Sequence, residues 1–379
     1  MSKFPNHKIY NSLIILFCFS VVVVSALFSI DLAVHATEPE PYYEPIDRFG
    51  ITAPYPSGVE TLIEKINARA VLDWGIENYS LTLPDYVEYI HVIRVNDTAW
   101  GNGALLSTLP DIIERNPGVV WIIGNEPDRY YYQDSVTAEV YAQRYYDIAT
   151  LIRTTDTSAK IGFGSVVQPT PIRIRYLNKA LDELETLANN RAEAMDLIDI
   201  WSIHAFILNE HPDFSWGAGV PMGFESDYYD AIKITDYSDT YSIEIFSQRI
   251  FDFRTWMNSI GEREKPLWIT EYGSLFPDLE IVCPGCNDGW PTEEDTKNYM
   301  INTFNYLVNA RDLETGLLED DNHLVQRWFW YSLNDYRYNF GGSLFDPENN
   351  YQITMAGTAF KNYTNYLLSD KVYLPLVNK

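Results

Sequence analysis

The chain has 379 residues, of which 46% are hydrophobic and 15% aromatic, and its formal net charge is −26 at pH 7. This length is compatible with one large α/β domain behind an N-terminal leader. A chain this acidic, with no basic cluster, repels phosphate backbones, which excludes nucleic acid as a partner.

The first 36 residues have the pattern of a secretory signal peptide. Two lysines precede an apolar run from Leu13 to Ile30, and small residues at Val34 and Ala36 occupy the positions that a signal peptidase reads. We therefore expect export, either as a secreted protein or at the cell surface. The apolar run is also long enough to span a bilayer, so an uncleaved N-terminal membrane anchor is the alternative.

Three further segments follow the leader. Residues 37–46 are rich in Pro, Glu and Tyr and are predicted to be a linker. Residues 47–370 form the predicted main domain, and residues 371–379 form a C-terminal tail. The apolar part of that tail, 372–377, is either a short strand packed on the domain or a surface-retention signal.

Cys283 and Cys286 stand in the sequence C-P-G-C, within a loop rich in Pro, Gly and Asp. In an exported protein this pair most simply closes a small disulfide. A zinc site would need two more ligands nearby, and a thioredoxin-type redox motif would open a helix after a strand.

Short apolar segments alternate with longer segments of helical period along residues 47–370. The predicted strands are 48–53, 69–74, 89–95, 119–125, 160–166, 198–206, 267–271 and 326–332. The predicted helices include one from 59 to 66, one marked by Tyr141, Tyr145, Ile148 and Ile152, and those at 172–196, 241–259, 292–310 and 355–368. Residues 82–88 leave room for barely two helical turns.

Eight such β-α units predict a parallel (β/α)8 TIM barrel, an α/β fold. An open doubly wound sheet would carry a Gly-rich phosphate loop after its first strand, and the sequence has none after residues 48–53. Reactive groups in a barrel sit at the C-terminal ends of the strands. The long segment 207–240 is predicted to overhang that end.

Two of the predicted strands deliver a glutamate. Trp121–Arg129 reads W-I-I-G-N-E-P-D-R and carries Glu126, and Pro266–Ser274 reads P-L-W-I-T-E-Y-G-S and carries Glu271. A carboxylate at the tip of an apolar strand is costly unless it is paired or used. Cleavage of a glycosidic bond by a general acid and a nucleophile requires at least two facing carboxyl groups.

These motifs resemble those of clan A glycoside hydrolases, which are retaining (β/α)8 enzymes. Within the clan the chain is most similar to the "glycosyl hydrolase catalytic core" proteins related to family 128, with a family 39-like enzyme as second choice. The resemblance covers residues 48–368 and rests on D-W-G after strand two, G-N-E-P-D, W-S-I-H-A-F and W-I-T-E-Y-G.

The resemblance implies that Glu126 is the acid/base, that Glu271 is the nucleophile, and that Asn125 binds the sugar hydroxyl beside the anomeric carbon. A retaining enzyme holds its carboxyls about 5 Å apart. Since two carboxylates this close do not easily both ionise, the less hydrogen-bonded one keeps its proton. We expect that one to be Glu126.

Six more residues at strand ends are candidate substrate-binding residues. His204 either contacts Glu271 or the ligand, or is a strand-end histidine whose hydrogen bonds are made within the fold. Tyr272 orients the nucleophile or simply packs. Trp330 resembles the tryptophan that floors the sugar subsite in this clan, although Trp328 shares its face and either could be barrel packing.

The other three candidates lie after strands two, three and four. Trp74, with Asp73, resembles a subsite wall. Arg94 either holds the nucleophile's charge or forms an ordinary ion pair. Tyr130 is the first of three consecutive tyrosines, which cannot all be core, so at least one is expected to line the cleft.

The sequence therefore predicts an exported, monomeric, cofactor-free and metal-free retaining glycosidase, endo-acting on a β-linked polysaccharide or oligosaccharide. The resemblance favours a β-1,3-glucan. A metal-dependent barrel hydrolase would carry His-x-His at the end of strand one, where this chain has Phe49–Thr52. The rival hypothesis is a non-catalytic glycan-binding barrel at the cell surface.

Overall fold

The computed structural model describes residues 43–54, 58–77, 81–130, 133–213, 217–276, 290–335 and 340–369. The predicted signal peptide or anchor, most of the linker, the Cys283–Cys286 pair and the tail 371–379 lie outside the described residues. Within the described part of the chain, no helix combines the length and apolar character needed to cross a membrane.

Eight parallel strands close into a barrel in sequence order, so the predicted (β/α)8 fold is confirmed. Each predicted strand is present, and every strand end lies within two residues of its predicted position. The strands are β1 (Phe49–Thr52), β2 (Ala70–Leu72), β3 (Glu88–Ile93), β4 (Val120–Ile123), β5 (Lys160–Val166), β6 (Ile200–His204), β7 (Leu267–Gly273) and β8 (Arg327–Tyr331). A small antiparallel pair, β9 (Phe345–Asp346) and β10 (Gln352–Ile353), follows β8.

Helices connect the strands on the outside of the barrel. They are α1 (Glu60–Ile66), α2 (Asp97–Trp100), α3 (Ala104–Arg115), α4 (Ala138–Thr155), α5 (Pro171–Leu187), α6 (Arg191–Asp196), α7 (Ile243–Ser259), α8 (Glu293–Asn309) and α9 (Met355–Leu368). Side-chain caps begin several of them. In α8, Thr292 accepts a hydrogen bond from Asp295 N, and the Asp295 side chain accepts one from Thr292 N, which is a capping box.

Two helix predictions need correction. Residues 82–88 form no helix: Pro84 disfavours helical backbone at the residue before it, and Val87 N closes a turn on Pro84 O instead. The predicted helix 172–196 is two helices, α5 and α6. Asn189 interrupts it with a left-handed φ of 70°, and the Asn190 side chain caps the second helix by accepting from Glu193 N.

The barrel has two separate apolar layers. Side chains that point inward, among them Ile90, Ile122, Trp268 and Phe329, fill the interior. Side chains that point outward pack against the helices in the larger core. Alternate residues of a strand therefore belong to different layers, and only inward positions near the C-terminal ends can reach the mouth.

The alternation of inward and outward side chains is interrupted at one point in β7. Ile269 pairs with Trp328 and Tyr272 pairs with Trp330, so three steps along β7 match two along β8. This is a β-bulge with one extra residue on β7. Because of the bulge, Glu271 points into the barrel mouth and Tyr272 points outward, the reverse of what strict alternation from the inward-pointing Trp268 would give.

The long segment after β6 lies against the loop after β4. Pro221 forms an antiparallel bridge with Arg129, and Met222 N donates to Asp128 O at 2.8 Å. Beneath these contacts Arg173 of α5 forms ion pairs with Asp128 and Glu210, and all three side chains are fully buried. The segment is therefore anchored at the barrel mouth by buried charges.

Candidate active site

The loop after β4 sets the position of Glu126. Gly124 has a φ of 93°, and a side chain there would lie 2.9 Å from the ring of Tyr141, so glycine is required. Glu126 itself has a left-handed φ of 44°. The buried Asp134 carboxylate holds the loop by accepting from Asn125 N at 2.8 Å and from Val95 N at 3.0 Å.

His204, at the end of β6, lies between the two glutamates. Its Nδ1 is 3.0 Å from Glu126 Oε1, and its Nε2 is 3.5 Å from Glu271 Oε1. One donor or acceptor atom from each of the three residues lies within 4.8 Å of the others. The structure thus brings Glu126 and Glu271 together, and it places His204 against both.

Trp74 connects the second carboxylate to Asn125. The indole Nε1 lies 3.0 Å from Glu271 Oε1 and 2.9 Å from Asn125 Oδ1, and it donates to both. Asn125 Nδ2 in turn donates to Gln133 Oε1 at 3.1 Å. Trp74 and Asn125 therefore lie beside Glu271, and the polar edge of Trp74 faces the carboxylate.

Glu126 is more strongly held as an anion than Glu271. Burial alone would raise the pKa of Glu126, but the charge of Arg129, whose Nη1 donates to Glu126 Oε2 at 2.9 Å, and the His204 hydrogen bond lower the pKa to about 2. The prediction that Glu126 keeps the proton in the free protein is therefore wrong. The prediction failed because it left out the charge of Arg129, which lies three residues further along the same motif and stabilises ionised Glu126.

Glu271 and His204 have raised pKa values. Burial, with the negative charge of Glu126, raises the pKa of Glu271 to about 7 despite the opposing charge of His204. Burial alone would lower the pKa of His204, but the charges of Glu271 and Glu126 raise it above its ordinary value. These shifts favour a proton on Glu271 or His204 over one on Glu126.

The carboxylates open into a cleft of about 350 Å³ at the C-terminal end of the barrel. Its lining consists of Glu126, Arg129, Gln133, Phe206, Glu271, Leu275, Tyr331 and Phe340. Six of these eight residues were not predicted as site residues. The strand period could have found Tyr331, which shares the inward face of β8 with Phe329, whereas the loop residues carry no local signal.

Trp330 and Tyr272 do not reach the cleft, which corrects two predictions. Both side chains are fully buried, and their rings pack edge to face with centroids 5.3 Å apart. Trp330 Nε1 donates to Gly342 O at 2.7 Å, and Tyr272 packs on Phe246 of α7. Strand alternation at β8 and the bulge in β7 turn both residues toward the helices.

The remaining candidates lie near the cleft and differ in their contacts. Arg94 Nε pairs with Asp134 Oδ1 at 2.5 Å, so Arg94 holds the β4 loop and acts on Glu271 only through its charge. Asp73 is not a subsite wall, because it accepts from Gly75 N at 2.7 Å and from the Tyr89 hydroxyl. Tyr130 is partly exposed in the β4 loop, and Tyr131 and Tyr132 lie outside the described residues.

Among the described residues, Glu126, His204 and Glu271 are the group whose spacing could hold a metal ion. A histidine and two carboxylates are a donor set that divalent cations accept. Here the same side chains are engaged with one another and with Arg129 and Trp74. The arrangement satisfies the charges of the site through hydrogen bonds and ion pairs.

Comparison with known proteins identifies similar folds. No protein-family model and no curated protein sequence matches the chain. A family 128 (subgroup II) endo-β-1,3-glucanase from Pseudomonas viridiflava superposes with a TM-score of 0.53 at 15% identity, covering 83% of this chain and 96% of that one. A subgroup I endo-β-1,3-glucanase from Amycolatopsis mediterranei, in complex with laminarihexaose, gives 0.51 at 13% identity over 83% and 98%.

A subgroup III curdlan-specific exo-β-1,3-glucanase from Blastomyces gilchristii, in complex with glucose, gives a TM-score of 0.52 at 15% identity, covering 84% of this chain and 99% of that one. Identities this low establish similarity of fold. The structural likeness agrees with the resemblance seen in the motifs: the chain has the (β/α)8 fold of the family 128 glycoside hydrolases along nearly their whole length.

Proposed function

We propose that the chain is an exported retaining glycoside hydrolase that cleaves a β-1,3-glucan within the polymer. One observation carries the proposal: Glu126 and Glu271, delivered by the ends of β4 and β7, approach within 4.8 Å at the floor of an open cleft. Retaining glycosidases hold their two carboxyl groups about 5–5.5 Å apart, whereas inverting enzymes need room for a water between them.

In the proposed reaction Glu271 attacks the anomeric carbon while Glu126 protonates the departing glycosidic oxygen. The bond to the leaving sugar breaks as the bond to Glu271 forms. Glu126, now ionised, takes a proton from water, and the resulting hydroxyl displaces Glu271 from the anomeric carbon. Trp74 donates to Glu271 and would hold the carboxylate in the attacking orientation.

The proton distribution of the free protein is one step from the state that this reaction needs. When the proton shared by Glu271 and His204 lies on His204, both glutamates are anions, and the total charge equals that of a protonated Glu126, a neutral His204 and an ionised Glu271. Transfer of the Nδ1 proton of His204 to Glu126 Oε1, across 3.0 Å, converts the first state into the second. A sugar oxygen that displaces Arg129 from Glu126 would favour this transfer, because Arg129 stabilises the anion.

The substrate class and the export rest on separate grounds. The similar structures are described as β-1,3-glucanases, some with laminari-oligosaccharides bound, and subgroups I and II are described as endo-acting. A subgroup III member is described as exo-acting, so the position of attack is part of the proposal. Export rests on the apolar N-terminal pattern of residues 1–36.

Reducing-sugar release from a panel of soluble β-glucans, differing in linkage, tests the proposal. We expect the purified chain to cut a β-1,3-glucan, and we expect Glu126→Gln and Glu271→Gln each to lower the rate by at least about 10³-fold. Product anomers followed by NMR distinguish retention from inversion. Cleavage that persists in both variants, or initial release of the inverted anomer, contradicts the proposed mechanism.

A second candidate is a glycan-binding barrel without turnover. The ion pair between Arg129 and Glu126 favours it, because a permanently ionised Glu126 cannot act as an acid. Under this alternative the same glucan binds equally well to wild type and to both glutamine variants, and no reducing ends appear.

A further inference from the structure

The segment after β6 presents an aromatic platform away from the catalytic carboxylates. Tyr229 is 81% exposed, although its neighbour Tyr228 is partly buried against the larger core. Beside it is a shallow pocket of about 450 Å³. The pocket is lined by His211, Ser226, Asp227, Tyr228, Tyr229 and Lys233.

The ring of Tyr229 is held in place from one side. The guanidinium of Arg175 lies 4.6 Å from the ring centroid. Arg175 is itself fixed, because Nη2 pairs with Asp227 Oδ2 at 2.6 Å and Nη1 pairs with Asp230 Oδ1 at 2.7 Å. A ring that is already ordered loses little conformational entropy when a ligand stacks on it.

The backbone under the platform is anchored as well. Ile232 N donates to Glu210 Oε2 at 2.9 Å, and Glu210 pairs with the fully buried Arg173. Arg173 Nη2 also donates to Gly219 O at 2.9 Å. Arg173 and Arg175 both belong to the first turn or two of α5, so the same helix fixes the base of the segment and the exposed ring.

The chemistry of this surface suits an uncharged, hydroxyl-rich ligand. Sugars offer apolar C–H faces that stack on aromatic rings and hydroxyls that need both donors and acceptors, and Ser226, Asp227, Lys233 and His211 supply these beside the ring. A polyanion would meet Asp213, Asp227 and Asp230, and Lys233 is already paired with Asp213 at 3.1 Å. A negatively charged ligand is therefore disfavoured at this surface.

We propose that Tyr229 and the adjoining pocket form a second, non-catalytic binding site for a neutral polysaccharide. This proposal rests on the proposed function insofar as the ligand is a β-glucan long enough to reach both sites. α5 begins directly after β5, so its first turns lie at the end of the barrel where the cleft opens. The site would hold the polymer near the cleft between successive cuts.

The test uses affinity electrophoresis of the full chain in gels containing a long soluble β-glucan. The parent carries Glu271→Gln so that the polymer is not degraded during the run. Tyr229→Ala is compared with Tyr86→Ala, which is a matched control: Tyr86 is 46% exposed and lies on Arg69 at 4.4 Å, but it precedes β3 at the opposite end of the barrel. In otherwise wild-type protein, cleavage of a short oligosaccharide is measured for the same two variants.

We expect Tyr229→Ala to weaken retention by the polymer about tenfold and Tyr86→Ala to leave it unchanged, with short-oligosaccharide cleavage equal in both. Equal retention of Tyr229→Ala and its parent overturns the second site, even if cleavage is normal. Retention that depends on Tyr229 in a protein that cuts no glucan supports the site and contradicts the proposed function. Retention by a carboxylated or sulfated polymer in place of the neutral one overturns the proposed ligand class.

Discussion

The imidazole of His204 lies 3.0 Å from Glu126 and 3.5 Å from Glu271, so a single side chain touches both carboxylates of the site. The two glutamates therefore titrate as part of a three-residue unit and not as an isolated pair. The predictions that follow concern this unit, the arginines around it and the anchored segment beside it.

Substitution of His204 should impair catalysis and change its pH dependence. In His204→Phe neither glutamate retains the imidazole, and we expect kcat/KM to fall by about 10²–10³-fold, the range of a lost proton-transfer group. His204→Gln can still donate to Glu126 but does not titrate. Rates measured from pH 4 to pH 9 should therefore show one fewer ionisation in His204→Gln. A glutamine variant with the wild-type rate and profile would contradict the role of the imidazole.

Removal of the Arg129 charge should shift the pH profile of kcat/KM to higher pH. Arg129 stabilises the ionised form of Glu126, so in Arg129→Met the pKa of Glu126 rises from about 2 toward the ordinary carboxyl range, and the acidic limb of kcat/KM moves to higher pH. Loss of the cation also moves the basic limb to higher pH, because a nearby positive charge no longer helps Glu271 to ionise.

The matched control for that experiment is Arg144→Met. Arg144 pairs with Asp97 at 2.7 Å and donates to Val95 O, outside the cleft. Its profile should match that of wild type. An acidic limb that stays in place in Arg129→Met, or moves equally in both variants, would show that the ion pair does not control Glu126.

The buried Glu271 carboxyl should make stability depend on pH. Its folded pKa of about 7 lies above the ordinary value of 4.5, so the folded state binds the proton more tightly than the unfolded state. The associated stability is fully present below about pH 4.5 and is lost as the pH rises through 7. Glu271→Gln cannot ionise, and its free energy of unfolding relative to wild type should therefore increase by about 1–3 kcal/mol between pH 4.5 and pH 8.

Urea unfolding at several pH values measures this difference. Glu64→Gln, which changes an exposed carboxylate on α1, is the control and should follow wild type across the range. A Glu271→Gln variant whose relative stability is flat or falls with pH would mean that Glu271 is ionised at neutral pH in the free protein.

Chelation distinguishes the hydrogen-bonded triad from a metal centre. The donor atoms of Glu126, His204 and Glu271 contact one another and two further side chains, so EDTA treatment should leave the rate of glucan cleavage unchanged. If EDTA abolished cleavage and a divalent cation restored it, the two-carboxylate mechanism would have to be replaced by metal-assisted hydrolysis.

The buried cluster of Arg173, Asp128 and Glu210 should contribute strongly to stability. Arg173→Met leaves two carboxylates buried without their cation, and removing one partner of a buried ion pair costs about 3–5 kcal/mol. The surface residue Arg191, whose nearest carboxylate oxygens are 3.8 Å and 3.9 Å away, is the control. Arg191→Met should change the free energy of unfolding by less than about 0.5 kcal/mol. Equal effects of the two substitutions would mean that the cluster is not a structural anchor.

The sequence predicted the barrel and the position of the carboxylates because both follow from local patterns. Apolar runs of strand length recur between helical segments, and Glu126 and Glu271 stand at the tips of two of them. Trp330 and Tyr272 were misplaced because the face to which a residue points depends on the phase of alternation, and a bulge changes that phase without changing composition. The proton was misplaced because the pKa of Glu126 depends on Arg129 and His204, whose approach is set by tertiary structure.

The bulge in β7 makes the catalytic geometry a matter of residue count as well as residue identity. At the present length of β7, strict alternation would turn Glu271 toward α7 and α8, and the extra residue of the bulge is what directs it into the barrel mouth. Deletion of Thr270 would remove the extra residue and leave the strand in strict alternation with Glu271 still facing inward, whereas loss of the bulge at constant length would turn Glu271 outward. The direction of Glu271 is therefore set jointly by the number of residues in β7 and by the register of β7 with β8.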